Sequence, residues 1–266
     1  MVARQPCRRS GYPVAPLDLL DGLRGDDAAS DCPVHGGCNS PLKGSVGRKP
    51  RCRARPSTAG PGPSGSDEEV AQGRLLADTA ARLDVHLVYS SVKGTDRLAD
   101  SKQLIEAYLR EQPVRATVLG PVYFIENALN LGFSRLGDGV LACPLTPGKP
   151  LDQVSVLDIA GMAVHAVENP DALIGERIDI ASDRVTGQEA ARILSEVLGR
   201  EIPYQQMPLD MVRQWAGEEV ATMFENFENN TDFLDLEALH TRYPDVHWHG
   251  YADWAKTVDW DRVLAD

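Results

Sequence analysis

Apolar residues recur at two different periods along this chain, and the alternation between them begins near residue 66. Ser66 followed by Glu69 fits a capping box, and Gly73, Leu76, Ala80 and Leu83 then fall on one face at helical spacing, predicting a helix from about Asp67 to Leu83. Val85-His86-Leu87-Val88-Tyr89-Ser90-Ser91 is short, β-branched and apolar, as a buried parallel strand opening into a site would be. Leu104, Ile105, Tyr108 and Leu109 mark a second helix that breaks at Pro113, and Arg115 to Leu119 predicts a second strand stopped by Gly120-Pro121. Strand, helix and strand at this spacing form a βαβ unit, whose crossover is right-handed.

The pattern continues in shorter pieces. Asp158 is placed to cap a helix through Ile159, Ala163, Ala166 and Val167 that ends before Pro170, and Arg177 to Ala181 reads as a strand. Thr186 with Glu189 forms another capping box. The helix behind it, with Ile193, Leu194 and Val197 inward, stops at Gly199 before a short strand at Ile202 to Gln205. The aromatics Trp215, Phe224, Phe227, Trp248, Trp254 and Trp260 are expected to build the core of a small helical lobe. His165 lies on an apolar helix face and reads as a core histidine. His247 and His249 would share one side of an extended segment, as a metal pair or as part of a loop beside a partner.

Composition divides the chain at Ser66. Residues 1–66 carry a net charge of +5 and residues 67–266 one of −17. The first part also holds 9 of 18 prolines and a single aromatic, Tyr12, too little apolar surface to offset its ordering entropy, so it is expected to be mostly disordered. Cys32, His35, Cys38 and Cys52 offer zinc-competent donors at a spacing that does not form paired knuckles, and the basic run Lys43 to Arg55 is either a nucleic-acid tail or a solvated linker. The overall charge of −12 disfavours nucleic-acid binding by the whole molecule. With no apolar run of membrane-spanning length and no export signal, a cytoplasmic protein that does not engage a membrane is expected.

Three stretches carry a family resemblance: Val88-Tyr89-Ser90-Ser91-Val92, then Ser101-Lys102, then Val118-Leu119-Gly120-Pro121-Val122-Tyr123-Phe124-Ile125-Glu126-Asn127. In order and spacing they resemble the strand-SS, SK and LRPVFFMEN pattern of the NmrA-like family, atypical relatives of the short-chain dehydrogenases. Thr186 to Gln206 resembles that family's C-terminal lobe. The fold class this implies is α/β: a partial Rossmann-type parallel sheet with helices over residues 67–150, and a smaller C-terminal α/β substrate lobe over 151–266. The resemblance implies a dinucleotide cofactor, NADP or NAD, contacted by Ser90, Ser91, Lys102, Pro121, Val122 and Tyr123. Phe124 and Asn127 would border the cleft of a small apolar substrate.

Four departures qualify the expectation. Family members carry a Gly-rich turn on a first strand, where glycines admit the pyrophosphate to a helix N-terminus. Here Gly36-Gly37 and the glycines Gly44 and Gly47 follow no apolar strand, so residues 1–66 read as a replacement for the first βαβ half, leaving a sheet edge open to dimerisation or aggregation. If Lys102 is the lysine that short-chain dehydrogenases pair with a tyrosine, the tyrosine position is Leu98. Tyr89 and Lys93 match that spacing but lie on a strand and the loop beyond it. Gly120 stands where the family usually has arginine, and the loop from Arg97 to Ser101 is short. The resemblance implies a redox sensor or regulator that binds NAD(P); an NADPH-dependent reductase of a quinone or other small apolar acceptor, working without the tyrosine, is the alternative. A non-catalytic module binding a protein partner or forming a homodimer is a third.

Overall fold

In the computed structural model, residues 63–94 and 100–265 are described. The cysteine–histidine set and the basic run of the N-terminal segment lie outside them, as does Leu98. The first helix, α1 (Pro63–Leu83), starts four residues before its expected N-terminus. Ser66 is therefore inside the helix, and Glu69 reaches Ser101 and Lys102 instead of folding back to cap. Gly73 and Ala77 face the second helix and the sheet; a Cβ at Gly73 would lie 2.6 Å from Ile105, so glycine sets the closeness of the two helices.

Strand β1 (Leu87–Ser90), helix α2 (Asp100–Glu111) and strand β2 (Ala116–Pro121) form the expected βαβ unit, with Leu87 opposite Ala116 and Ser90 opposite Leu119. After β2 the chain continues through β3 (Tyr123–Phe124), a 3-10 turn (Ile125–Leu129), α3 (Leu131–Ser134) and a second 3-10 turn (Leu136–Asp138) to β4 (Leu141–Cys143). Then come β5 (Pro150–Val154), α4 (Val156–Glu168), α5 (Pro170–Leu173), β6 (Arg177–Ile180) and β7 (Asp183–Thr186). Helix α6 (Gly187–Leu198) leads to β8 (Tyr204–Gln206), and α7 (Leu209–Ala216), α8 (Glu218–Asn229), α9 (Leu236–Arg242), α10 (Tyr251–Thr257) and α11 (Trp260–Val263) close the described chain.

Strands β1, β2 and β6 make a parallel sheet in that order, so β6 returns from beyond residue 150 to complete the sheet begun by β1 and β2. Because side chains alternate across a strand, Ala116 and Val118 face α1 and α2, whereas Leu119, Ile178 and Ile180 pack on Met162 and Ala166 of α4. The second sheet, β3-β5-β7, and the two-stranded β4-β8 ribbon lie in the rest of the fold. Their core gathers Ile125, Leu141, Leu194, Tyr251, Trp254 and Trp260. Phe224 is buried as expected, but Trp215 is 61% exposed and stacks on Phe133 at 5.8 Å. No helix among the described residues is long and apolar enough to cross a membrane.

Local signals account for the ends of α6. Thr186 and Glu189 form the reciprocal capping box, and Gly199 ends the helix at φ +63°. Helix α4 differs from its expectation: Ser155 is its cap, accepting from the Leu157 N–H. Asp158, in the first turn, is fully buried and serves a tertiary contact instead.

Candidate functional site

The carboxyl ends of parallel strands are where open α/β sheets hold ligands, because the crossovers leave a crevice there. Ser90 ends β1 with an exposed side chain. Ser91 turns inward, 3% exposed, and its hydroxyl donates to Glu106 of α2. Lys102 also points to the helical layer, forming a 2.8 Å ion pair with Glu69 of α1, whose other oxygen accepts from Ser101. Burial raises the Glu69 pKa, but hydrogen bonds from Lys102 and Ser101 and the lysine charge outweigh it and leave the carboxylate below its ordinary value. The Tyr89 phenol lies in the same layer, buried without a partner among the described residues; burial, then the charges of Glu69 and Glu106, push its pKa up. Lys93 instead reaches Asp232, so Tyr89 and Lys93 form no catalytic pair.

Gly120 has a physical reason that sequence did not supply. A Cβ there would come 2.1 Å from Asp179 Oδ1 and 3.0 Å from an Arg177 nitrogen. The Arg177 guanidinium, from the neighbouring strand, lies over the glycine, bonds Asp179, and reaches Glu106 at 3.0 Å and the Val92 carbonyl at 2.8 Å. A positive charge is thus present beside position 120, but it comes from β6 and is held by protein groups. Burial lowers the Arg177 pKa, and the contacts with Glu106 and Asp179 more than reverse that, stabilising its charge.

The remaining predicted residues face elsewhere. Pro121 is buried, and Val122 packs into the core under the sheet. Tyr123 and Asn127 line a narrow cavity of about 50 Å3 with Phe133, Cys143, Tyr204 and Tyr251. Phe124, the next residue on the strand, points away and is 37% exposed. The rings of Phe224 and Phe227 meet Tyr123 edge to face at 6.3 and 5.9 Å. Burial pushes the phenols of Tyr123, Tyr204 and Tyr251 upward and the Cys143 thiol likewise, and the lining also includes Lys149, whose ammonium donates to the Asn230 carbonyl. Tyr204 donates to the carbonyls of Leu145 and Cys143, and the absence of a side chain at Gly187 lets its ring lie against the start of α6. Ser91 and Lys102 therefore belong to one cluster, under α1 and α2, and Tyr123 and Asn127 to another.

A further polar group sits at the N-terminus of α4. Glu126 accepts from the Ser155 hydroxyl and the Val156 N–H, and its second oxygen is buried and unpartnered. Asp158 accepts from the Ser182 hydroxyl, the His249 backbone N–H and the His249 ring. The His247 and His249 rings do lie together, 4.4 Å between centroids, but among the described residues no third histidine, cysteine or carboxylate joins them in a metal-binding group. His165 is half-buried against Tyr243 at 5.6 Å. Sequence reasoning missed Glu106, Glu126 and Arg177; the one available signal was Arg177 and Asp179 alternating with isoleucines on a single strand.

A three-stranded parallel sheet layered by helices on both faces defines a Rossmann-type α/β protein. Within that class the chain belongs to the NmrA-like family, whose model matches residues 58–256. An NmrA-like family domain-containing protein of Dictyostelium discoideum is 24% identical over 160 residues, 52% of this chain and 53% of that protein. The chain spans about half the length of this curated relative. A nucleoside-diphosphate-sugar epimerase from Staphylococcus aureus superposes with a TM-score of 0.59 at 17% identity, covering 76% of this chain and 75% of that one. NmrA, a negative transcriptional regulator solved with NADP, gives 0.54 at 18% identity over 74% and 72% of the two chains. The Citrobacter sp. triphenylmethane reductase complexed with NADP(H) gives 0.57 at 17%, over 74% of each. At these identities the likeness is one of fold.

Proposed function

We propose that this protein is a regulator of the NmrA type that senses nicotinamide dinucleotide by binding NADP or NAD without turning it over. The observation that carries the reading is that, among the described residues near the ends of β1 and β2, the cations and the Ser91 hydroxyl are held by protein carboxylates. Lys102 is held by Glu69, Ser91 by Glu106, and Arg177 by Glu106 and Asp179. The phenols of the nearby cavity are kept protonated by burial, and the lysine of its lining, Lys149, is directed to the Asn230 carbonyl. Such a site lacks a poised proton donor.

The residues present fit the nicotinamide end of a dinucleotide. Ser90 offers an exposed hydroxyl at a strand end, and Tyr123, just beyond β2, lines the cavity with Asn127, whereas Pro121 and Val122 pack inward. Lys102 contributes to a ribose contact only on release from Glu69. They do not supply the pyrophosphate cradle: among the described residues no glycine-rich turn joins a strand to a helix N-terminus. Bound dinucleotide would bring hydride chemistry; this chain's own residues position it and exclude water.

A reductase of a small apolar acceptor is the second reading, favoured by the neutral aromatic wall of Tyr123, Tyr204 and Tyr251 with Asn127 as a polar handle. At about 50 Å3 the cavity must open to admit such a molecule, since ligand sites usually span several hundred Å3. Calorimetry and thermal melting of the full chain with NADPH and NADH test the proposal, alongside NADPH absorbance with a quinone panel. Binding with a rise in melting temperature and a flat absorbance trace is expected. Steady oxidation would establish the reductase, and a folded sample with neither heat nor shift would end both cofactor readings in favour of a protein-interaction module.

A further inference from the structure

Among the described residues, strand β1 stands at the end of its sheet, with β2 on one side. The Leu87 and Ser91 N–H groups point to β2, so by alternation the backbone groups of Val88 and Ser90 face outward. Both covering layers are apolar at the same edge. On α1, Arg74 and Asp78 meet Tyr108 of α2, which places Leu76 and Leu83, 50% and 61% exposed, on the opposite flank. On α4, Gly161 and His165 lie against Val246 and Tyr243, which places Ala163 and Val167 on the other flank, Val167 60% exposed. Helix α4 contacts both β1 and β2. Val85, 48% exposed, precedes the strand.

We propose that this edge is a self-association surface, occupied by β1 of a second copy of the chain in antiparallel register. A two-fold axis perpendicular to the sheet and centred on Val88 makes the patch complementary to itself. Val88 exchanges both of its outward hydrogen bonds with Val88 of the second copy, and the segment around His86 meets that around Ser90. The same axis lays α1 beside its copy on one face of the six-stranded sheet and α4 beside its copy on the other. Leucine then meets leucine and valine meets valine, each stripe continuing the core of its own layer.

Area favours this occupant. The exposed parts of Leu76, Leu83, Val85 and Val167 amount to roughly 400 Å2 along the two sides of the edge. Two copies bring roughly 800 Å2 of this together, and the paired strand edge and polar rim add to it toward the range of a specific interface. Residues 1–62 are a poor competitor, because their proline-rich sequence contains no alternating apolar run for an added strand.

Sedimentation and light scattering of the full chain from about 1 to 50 µM, a range set by ordinary dimer affinities, decide the matter. A dimer is expected, with slowed amide exchange at Val88. Leu83→Glu and Val167→Glu each place a carboxylate near its own copy across the axis and should weaken association about a hundredfold. Both positions are exposed in the single copy, so circular dichroism and melting should report an intact fold. A chain that stays monomeric throughout, or a dimer that neither substitution weakens, overturns the proposal. A monomer with protected Val88 overturns it too, and assigns the edge to residues 1–62.

Discussion

Arg177 decides how firmly the two strand ends and α2 are tied. Glu106, its main partner, has a side chain only 5% exposed, whereas the arginine is 34% exposed, so solvent screens one half of the pair. Removing the cation strands a buried carboxylate with the Ser91 hydroxyl, and Arg177→Ala should cost about 2 kcal/mol, discounted from the larger penalty of a fully buried pair. Urea unfolding at pH 7 measures it. Glu126 makes the opposite kind of prediction. Burial pushes its pKa above the ordinary 4.5; backbone hydrogen bonds and the Ser155 hydroxyl pull it back, and Asp158 adds to the rise. A folded pKa above the unfolded one gives stability that is complete below about pH 4.5 and is lost as pH rises through the folded value. The urea midpoint should therefore rise between pH 7 and pH 5, apart from other groups, and Glu126→Gln should flatten that part of the dependence. An identical pH response in both proteins would refute it.

Helix ends show which signals sequence transmits at the scale of elements. Thr186, Glu189 and Gly199 act within a few residues of one another, so the pattern of α6 was legible without knowledge of the fold. Thr186→Ala should cost about 1 kcal/mol of stability, measurable as a lowered urea midpoint, because it removes the acceptor of the Glu189 N–H. Asp158 is as good a capping residue as Ser155, but its choice depends on Ser182 and His249, 24 and 91 residues away. Glu69 is likewise taken from a local cap by Ser101 and Lys102, 32 and 33 residues on. The strands β1 and β2 were legible as largely apolar runs and β6 as isoleucines alternating with charged residues, whereas the two-residue β3 and the polar β7 are defined by pairing to β5. The site was legible in its residue types and less so in its grouping: Tyr123 and Phe124 are neighbours in sequence and face opposite ways, and Lys102 lies a helix away from Tyr123, under the other layer.

Charge at the scale of the whole molecule sets a condition on association that separates its possible causes. Residues 67–266 carry −17, so two copies approaching edge to edge repel, while the stripes on α1 and α4 that would meet are apolar. Raising ionic strength from about 0.01 M to 0.15 M shortens the screening length from ~30 Å to ~8 Å, which removes much of that repulsion and leaves apolar burial nearly untouched. An edge-to-edge dimer held by Leu76, Leu83 and Val167 should therefore tighten with salt. Residues 1–66 carry +5, and association through their attraction to the acidic body of another copy would respond in the reverse direction, loosening as salt is added. Sedimentation equilibrium of the full chain at the two salt concentrations reads the sign directly, and a dimer that weakens with salt would transfer the contact from the β1 edge to the basic segment.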